Sequence, residues 1–83
     1  MSEEKRVALI AIMVSDTDSV EKLNNLLHDY RDYIIGRMGL PYPKKDVCII
    51  SVAIDAPQDK ISALSGKIGA LNGVTTKTVY SNV

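Results

Sequence analysis

Residues Val7 to Val14 (VALIAIMV) are apolar at every position of the strand alternation, so Val7, Leu9, Ala11 and Met13 would face one way and Ala8, Ile10, Ile12 and Val14 the other. A strand with one wet face alternates apolar with polar. This run therefore belongs at the centre of a sheet that is covered on both sides. Val47 to Ile54 (VCIISVAI) repeats the pattern with only Ser51 interrupting it. Between them the period changes to 3.6: Val20, Leu23, Leu26, Leu27 and Tyr30 fall on one helical stripe, which Ile34 would extend, and Glu21, Lys22, Asn25, His28 and Asp29 lie opposite. Asp18 with Glu21 three residues on resembles a capping box, which predicts a helix of about four turns starting there.

Tyr33 to Leu40 (YIIGRMGL) reads as a strand with a bend or bulge, and Pro41 to Asp46 (PYPKKD) as the hairpin loop that follows it, which makes the strand an edge. Asp55-Ala56-Pro57-Gln58 predicts the start of a second helix, with Asp55 as the cap and Pro57 in the first turn. Its stripe is Ile61, Leu64, Ile68 and Leu71, and Asn72-Gly73 ends it. Val74 to Tyr80 (VTTKTVY) is a short edge strand. The order β-α-β-β-α-β with right-handed crossovers gives an α+β fold, a ferredoxin-like sandwich of one four-stranded antiparallel sheet with both helices on one face. In that arrangement the first and third strands are the central pair, and those are the two doubly apolar runs. Two helices cover one face, so the other calls for a partner.

Length sharpens this expectation. Eighty-three residues form a single domain over 1–83, and a domain of that size buries only about 60% of its unfolded surface, so association matters to its stability. Ten basic and ten acidic residues cancel, which leaves no basic footprint for nucleic acid on the monomer and little charge to hold copies apart. The N-terminal MSEEKR and the eight apolar residues after it fit neither a membrane span nor a signal peptide, so the cytoplasm is the expected location. With no Trp or Phe and four scattered Tyr, there is no stacking platform for single strands.

The chemistry-bearing residues are few. His28 and Cys48 are the only soft metal ligands and cannot complete a four-coordinate site within one chain, although a site shared between chains could use them. No base stands beside a Ser or Cys in a nucleophile's setting, so an enzyme is not expected, and no cofactor is. Arg37, between Gly36 and Gly39 and ahead of Pro41, offers a guanidinium fork for carboxylate or phosphate; a solvated arginine on an edge bulge is the alternative. Ser62, Ser65, Gly66 and Gly69 give the second helix a small face. Two glycines inside a helix cost about 1 kcal/mol each relative to alanine, which close packing on a neighbouring chain or ligand would offset.

GRMGLPY (Gly36 to Tyr42) and ALSGKIGALNGVTTK (Ala63 to Lys77) together resemble the family of small proteins called putative iron-only hydrogenase system regulators, over nearly the whole chain. The resemblance implies a ferredoxin-like fold related to ACT domains and to the C-terminal domain of nickel regulators, and a regulatory or ligand-sensing role tied to [FeFe] hydrogenase maturation. Carried over by position, it marks Arg37, Gly39, Pro41, Gly66, Lys67, Gly69 and Gly73 as signature residues, the first six as candidate interface or ligand positions. Amino-acid-binding ACT domains place a glycine in the loop after the first strand; here that loop is Ser15-Asp16-Thr17-Asp18, so amino-acid binding there is not expected. One His and one Cys likewise do not repeat the nickel relative's ligand set. The expected function is an oligomeric regulatory module, a dimer or tetramer, binding a small molecule or protein partner at a subunit interface. The alternative is a transcription regulator whose basic residues Arg37, Lys44, Lys45 and Lys77 are gathered by assembly, because no DNA-binding segment precedes Lys5.

Overall fold

A computed structural model describes residues 4–82. The elements run β1 (Lys5–Val14), α1 (Val20–Asp29), β2 (Ile34–Tyr42), β3 (Val47–Pro57), α2 (Gln58–Gly69) and β4 (Val74–Tyr80), with single 3-10 turns at Thr17–Ser19, Arg31–Tyr33 and Pro43–Lys45. The strands form one antiparallel sheet in the order β2-β3-β1-β4, which is the ferredoxin-like arrangement. The doubly apolar strands β1 and β3 are the inner pair, as their composition required.

Register fixes which side chains share a face, because residues directly opposite each other in an antiparallel pair point the same way. Ala8, Ile10, Ile12 and Val14 lie opposite Ile54, Val52, Ile50 and Cys48, and this side meets the helices. Leu23 and Leu27 from α1 and Ile61, Leu64 and Ile68 from α2 close over it, and all five are buried with Ile10, Ile12, Val52 and Ile54. The two apolar stripes read from the 3.6 period are thus the two helix contributions to the core.

Several boundaries differ from the sequence expectations for local reasons. The Asp18–Glu21 capping box does not form. Asp16 Oδ1 accepts the Asp18 N–H at 3.0 Å, which makes a 3-10 turn first, and α1 then runs for 10 residues from Val20 with no side-chain cap on Ser19. Ile34 opens β2 instead of extending α1. Asp55 does not cap α2, because it is still in β3, opposite Val7; Pro57 holds the cap position with extended ψ and the helix begins at Gln58. That helix ends at Gly69, and Gly73 (φ +68°) turns the chain into β4.

β2 runs on through Pro41 and Tyr42, which the sequence placed in a loop. A proline fits in an edge strand because its missing N–H faces outward. β2 also carries the bulge, between Ile34 and Gly36. The outer edge of β2 is therefore interrupted twice, whereas β4 on the opposite margin has neither proline nor bulge. Asp46, in the left-handed region at φ 54°, closes the turn after Lys44 and Lys45 into β3. The charged N-terminal reading rests partly on residues 1–3, which lie outside the described residues.

Candidate functional site

The sheet face away from the helices is apolar and open. From β1 it carries Val7, Leu9, Ala11 and Met13; opposite them stand Ala53, Ser51 and Ile49 on β3 and Val79, Lys77 and Thr75 on β4. On β2, Gly36, Met38 and Leu40 continue the same three rows. Leu9 and Met13 are 44% and 43% exposed on an inner strand, where apolar side chains are ordinarily buried, and Met38, Leu40 and Val79 on the edge strands are 70%, 61% and 64% exposed. The small residues Gly36, Ala53, Ser51 and Ala11 form a trough across the middle, and Leu9, Met38, Leu40 and Met13 stand beside it as knobs. The charges on this face are Lys5, Asp55 and Lys77, which lie towards its margins.

The β2 signature residues Arg37, Gly39 and Pro41 lie opposite Val52, Ile50 and Cys48, so they belong to the helix side of the edge strand. Arg37 reaches α1, where its Nη2 donates to Asn24 Oδ1 at 3.1 Å. It is exposed, as the bulge reading allowed. Gly39 lies beside the Ile50 side chain, with 4.0 Å between Ile50 Cγ1 and the position a Cβ would take. Pro41 lines an apolar groove with Val14, Val20, Tyr42, Val47 and Cys48, between the start of α1 and the β2–β3 hairpin.

The α2 signature residues are elsewhere. Lys67 Nζ donates to the Tyr30 hydroxyl at 3.1 Å and lies 5.3 Å from the ring centre, which ties α2 to the end of α1. A Cβ on Gly69 would come within 3.1 Å of Thr76 Cγ2, so this glycine lets the helix sit close on β4. Ser65 and Thr78 make a hydroxyl–hydroxyl bond of 3.2 Å in the same seam. Part of the small helix face is thus used within the chain, against β4. Gly66 has nothing within 4 Å of the place for its Cβ. The β2 and α2 groups are not brought together within one chain: one lies on the β2 margin, the other on a helix that packs towards the β4 margin.

Gly73 has a structural role. Its carbonyl accepts both the Ser15 N–H at 2.7 Å and the Ser15 hydroxyl at 3.0 Å, and the neighbouring Asn72 carbonyl accepts the buried Ser19 hydroxyl at 2.7 Å. A Cβ on Gly73 would come within 2.6 Å of Asp16 Cβ. The loop after β1, where ACT domains carry a glycine, is here clasped to the loop before β4. Ser15 and Ser19 had no motif to mark them; Asn72-Gly73, the clasp's other half, was the visible signal.

His28 is exposed on α1 and Cys48 is half-buried on β3, and each lines a different cleft. Among the described residues no three side chains of His, Cys, Asp and Glu come near enough to hold a metal ion. Arg37 lies on the helix side of the sheet, Lys77 on the open side, and Lys44 and Lys45 at the hairpin end, so a single chain does not gather them into one basic surface. Among the described residues no helix is long and apolar enough to cross a membrane.

The chain is thus a ferredoxin-like domain with one sheet face packed under two helices and the other apolar and open among the described residues. The model of the TM1266-like family, described as "Iron-only hydrogenase system regulator, putative", matches residues 6–78, and the chain belongs to that family. The structure of the uncharacterized protein TM1266 from Thermotoga maritima superposes with a TM-score of 0.89 at 36% identity, over 93% of this chain and 98% of that one. A curated relative from Saccharolobus solfataricus, named "Putative nickel-responsive regulator", is 27% identical over 66 residues. That match takes in 80% of this chain, which spans about half (49%) of the relative's length. A formyltetrahydrofolate deformylase from Pseudomonas putida KT2440 shares the fold at a TM-score of 0.62 and 17% identity, over 94% of this chain and 29% of the enzyme. The names of the family and of the curated relative point to a regulator and not to an enzyme.

Proposed function

We propose that the chain is a regulatory module of the iron-only hydrogenase system that works as a homo-oligomer, with a second copy on the open sheet face and a small molecule or protein partner bound where subunits meet. The open face carries this reading. Strand spacings of about 4.8 Å and rises of about 3.4 Å give the rows shared by all four strands and their immediate neighbours an area of roughly 400 Å². Apolar patches of a few hundred Å² mark contact surfaces. At about 25 cal/mol per Å² of apolar area, covering the apolar part of it contributes several kcal/mol per chain, before the association cost of roughly 4–15 kcal/mol.

The occupant favoured is a copy of the same chain. A two-fold interface needs a self-complementary surface, and knobs flanking a trough of matching small residues supply one. A chain with zero formal net charge adds no general repulsion. Family membership supports the regulatory half of the reading. The signature residues Arg37, Gly39, Pro41, Gly66, Lys67 and Gly69 are the candidate positions for the further contacts. They lie around the helix side and both sheet margins, where assembly could bring β2 of one copy near α2 of another.

Sedimentation velocity tests the assembly. The wild type is expected above 9 kDa at micromolar concentration, and Leu9→Glu is expected at monomer mass with its circular dichroism unchanged. A wild type that sediments as a monomer at 100 micromolar would remove the proposal.

A further inference from the structure

We infer that the cleft between α1 and β2 is a binding site for a small oxyanion, the phosphate or carboxylate group of a metabolite. Asn24, Leu27 and His28 from α1, Arg31 from the following turn, and Ile34 and Arg37 from β2 line a cleft of about 310 Å³. Two guanidiniums and an imidazole converge there, and no carboxylate is in the lining. In a chain whose formal charges sum to zero, such a concentration of one sign is a local feature.

Both arginines are held in place by neutral acceptors. Arg37 Nη2 donates to Asn24 Oδ1 at 3.1 Å, and Arg31 Nη1 donates to the His28 carbonyl at 3.0 Å. Neither makes an ion pair among the described residues, so each keeps most of its five N–H donors for another acceptor. The Arg31 contact also satisfies a carbonyl at the C-terminal end of α1, which lessens the negative end of the helix dipole that would oppose an anion. Leu27, which is buried, and the half-buried Ile34 give the cleft an apolar floor. Asn24 positions the Arg37 fork from across the cleft. Each guanidinium presents the planar fork that pairs bidentately with phosphate or carboxylate.

The site lies within one chain, so it stands independently of the proposed assembly. Amide chemical shifts of the 15N-labelled protein are followed while inorganic phosphate, and separately acetate, is added at constant ionic strength against a chloride control. Saturable shifts at Asn24, His28, Arg31 and Arg37 are expected with an oxyanion and not with chloride. The stronger of the two anions identifies the group preferred. Arg37→Gln is expected to weaken binding at least tenfold, and Asn24→Ala, which leaves both charges in place, severalfold. Lys44→Gln, outside the cleft, is expected to leave it unchanged. The same titration of Leu9→Glu separates the two proposals: binding that persists in a monomer supports the cleft whatever the state of assembly. Shifts that match chloride, or that Lys44→Gln reduces as much as Arg37→Gln does, would overturn it.

Discussion

Ile12 and Met13 are neighbours in β1, yet they inhabit different environments. Ile12 is fully buried beneath the helices, while Met13, one residue on and equally apolar, is 43% exposed on the reverse of the same sheet. The contrast runs the length of both inner strands. The covered face is complete within one chain: two helix stripes fill it, and the β1–α1 and α2–β4 loops lock one end. The open face has residues of the same kind, and no element among the described residues covers them. In this chain, hydrophobic composition specifies what needs covering, and topology supplies only half of the cover.

The sharpest way to break the comparison is to truncate the two neighbours in turn. Ile12→Ala should cost about 2–5 kcal/mol in chemical unfolding, since a buried side chain leaves a cavity. Met13→Ala should cost far less when measured on a monomeric background such as Leu9→Glu, and should chiefly weaken association in the parent. Equal losses for both on the monomeric background would mean that the open face contributes to the fold of the single chain. Next in size is Gly73→Ala. A side chain there meets Asp16 and takes an unfavourable positive φ, so a loss of about 1–3 kcal/mol is expected from the thermal midpoint.

A pair of hydroxyls on the covered side gives a smaller test. Ser19→Ala removes a buried bond to the Asn72 carbonyl and should cost about 1–2 kcal/mol. Thr76 Oγ1 is buried with no hydrogen-bond partner among the described residues, so Thr76→Val should be neutral or stabilising by up to about 1 kcal/mol. The smallest effect is expected at Gly66. With open space at the Cβ position, Gly66→Ala should raise stability by about 0.5–1 kcal/mol through helix propensity. A loss of association in that variant, with stability raised, would show that a second chain packs on the bare helix backbone.

The periodicity of β1 and β3 made the sheet's centre legible, because apolar residues at both parities mark inner strands and not edges. Element ends were less legible where two local bonds competed. Asp16 and Asp18 could both cap, and the side chain of Asp16 reached an N–H two residues on and set a turn before the helix. Asp55 looked like a cap until pairing with Val7 kept it in the sheet. Pro41 looked like a loop residue, because a proline is accommodated in a strand by its place at the edge of a sheet. The signature glycines were visible as a motif, but their roles diverge: Gly73 permits a turn, Gly69 a close approach, and Gly66 neither within the chain. Arg31 and His28 were passed over beside Arg37 because the three fall in different elements, a helix, a turn and a strand. Only the packing of α1 on β2 brings the three to one cleft.

The unequal margins of the sheet limit what its backbone can do. Endless lateral growth needs two competent borders on every molecule, one to give and one to receive. The proline and the irregular step in β2 spoil one of them. Any pairing through β4 would then have to join like to like, using up both sound borders at once, and the ribbon would stop at two. Backbone pairing along the edges of the sheet therefore closes at two copies.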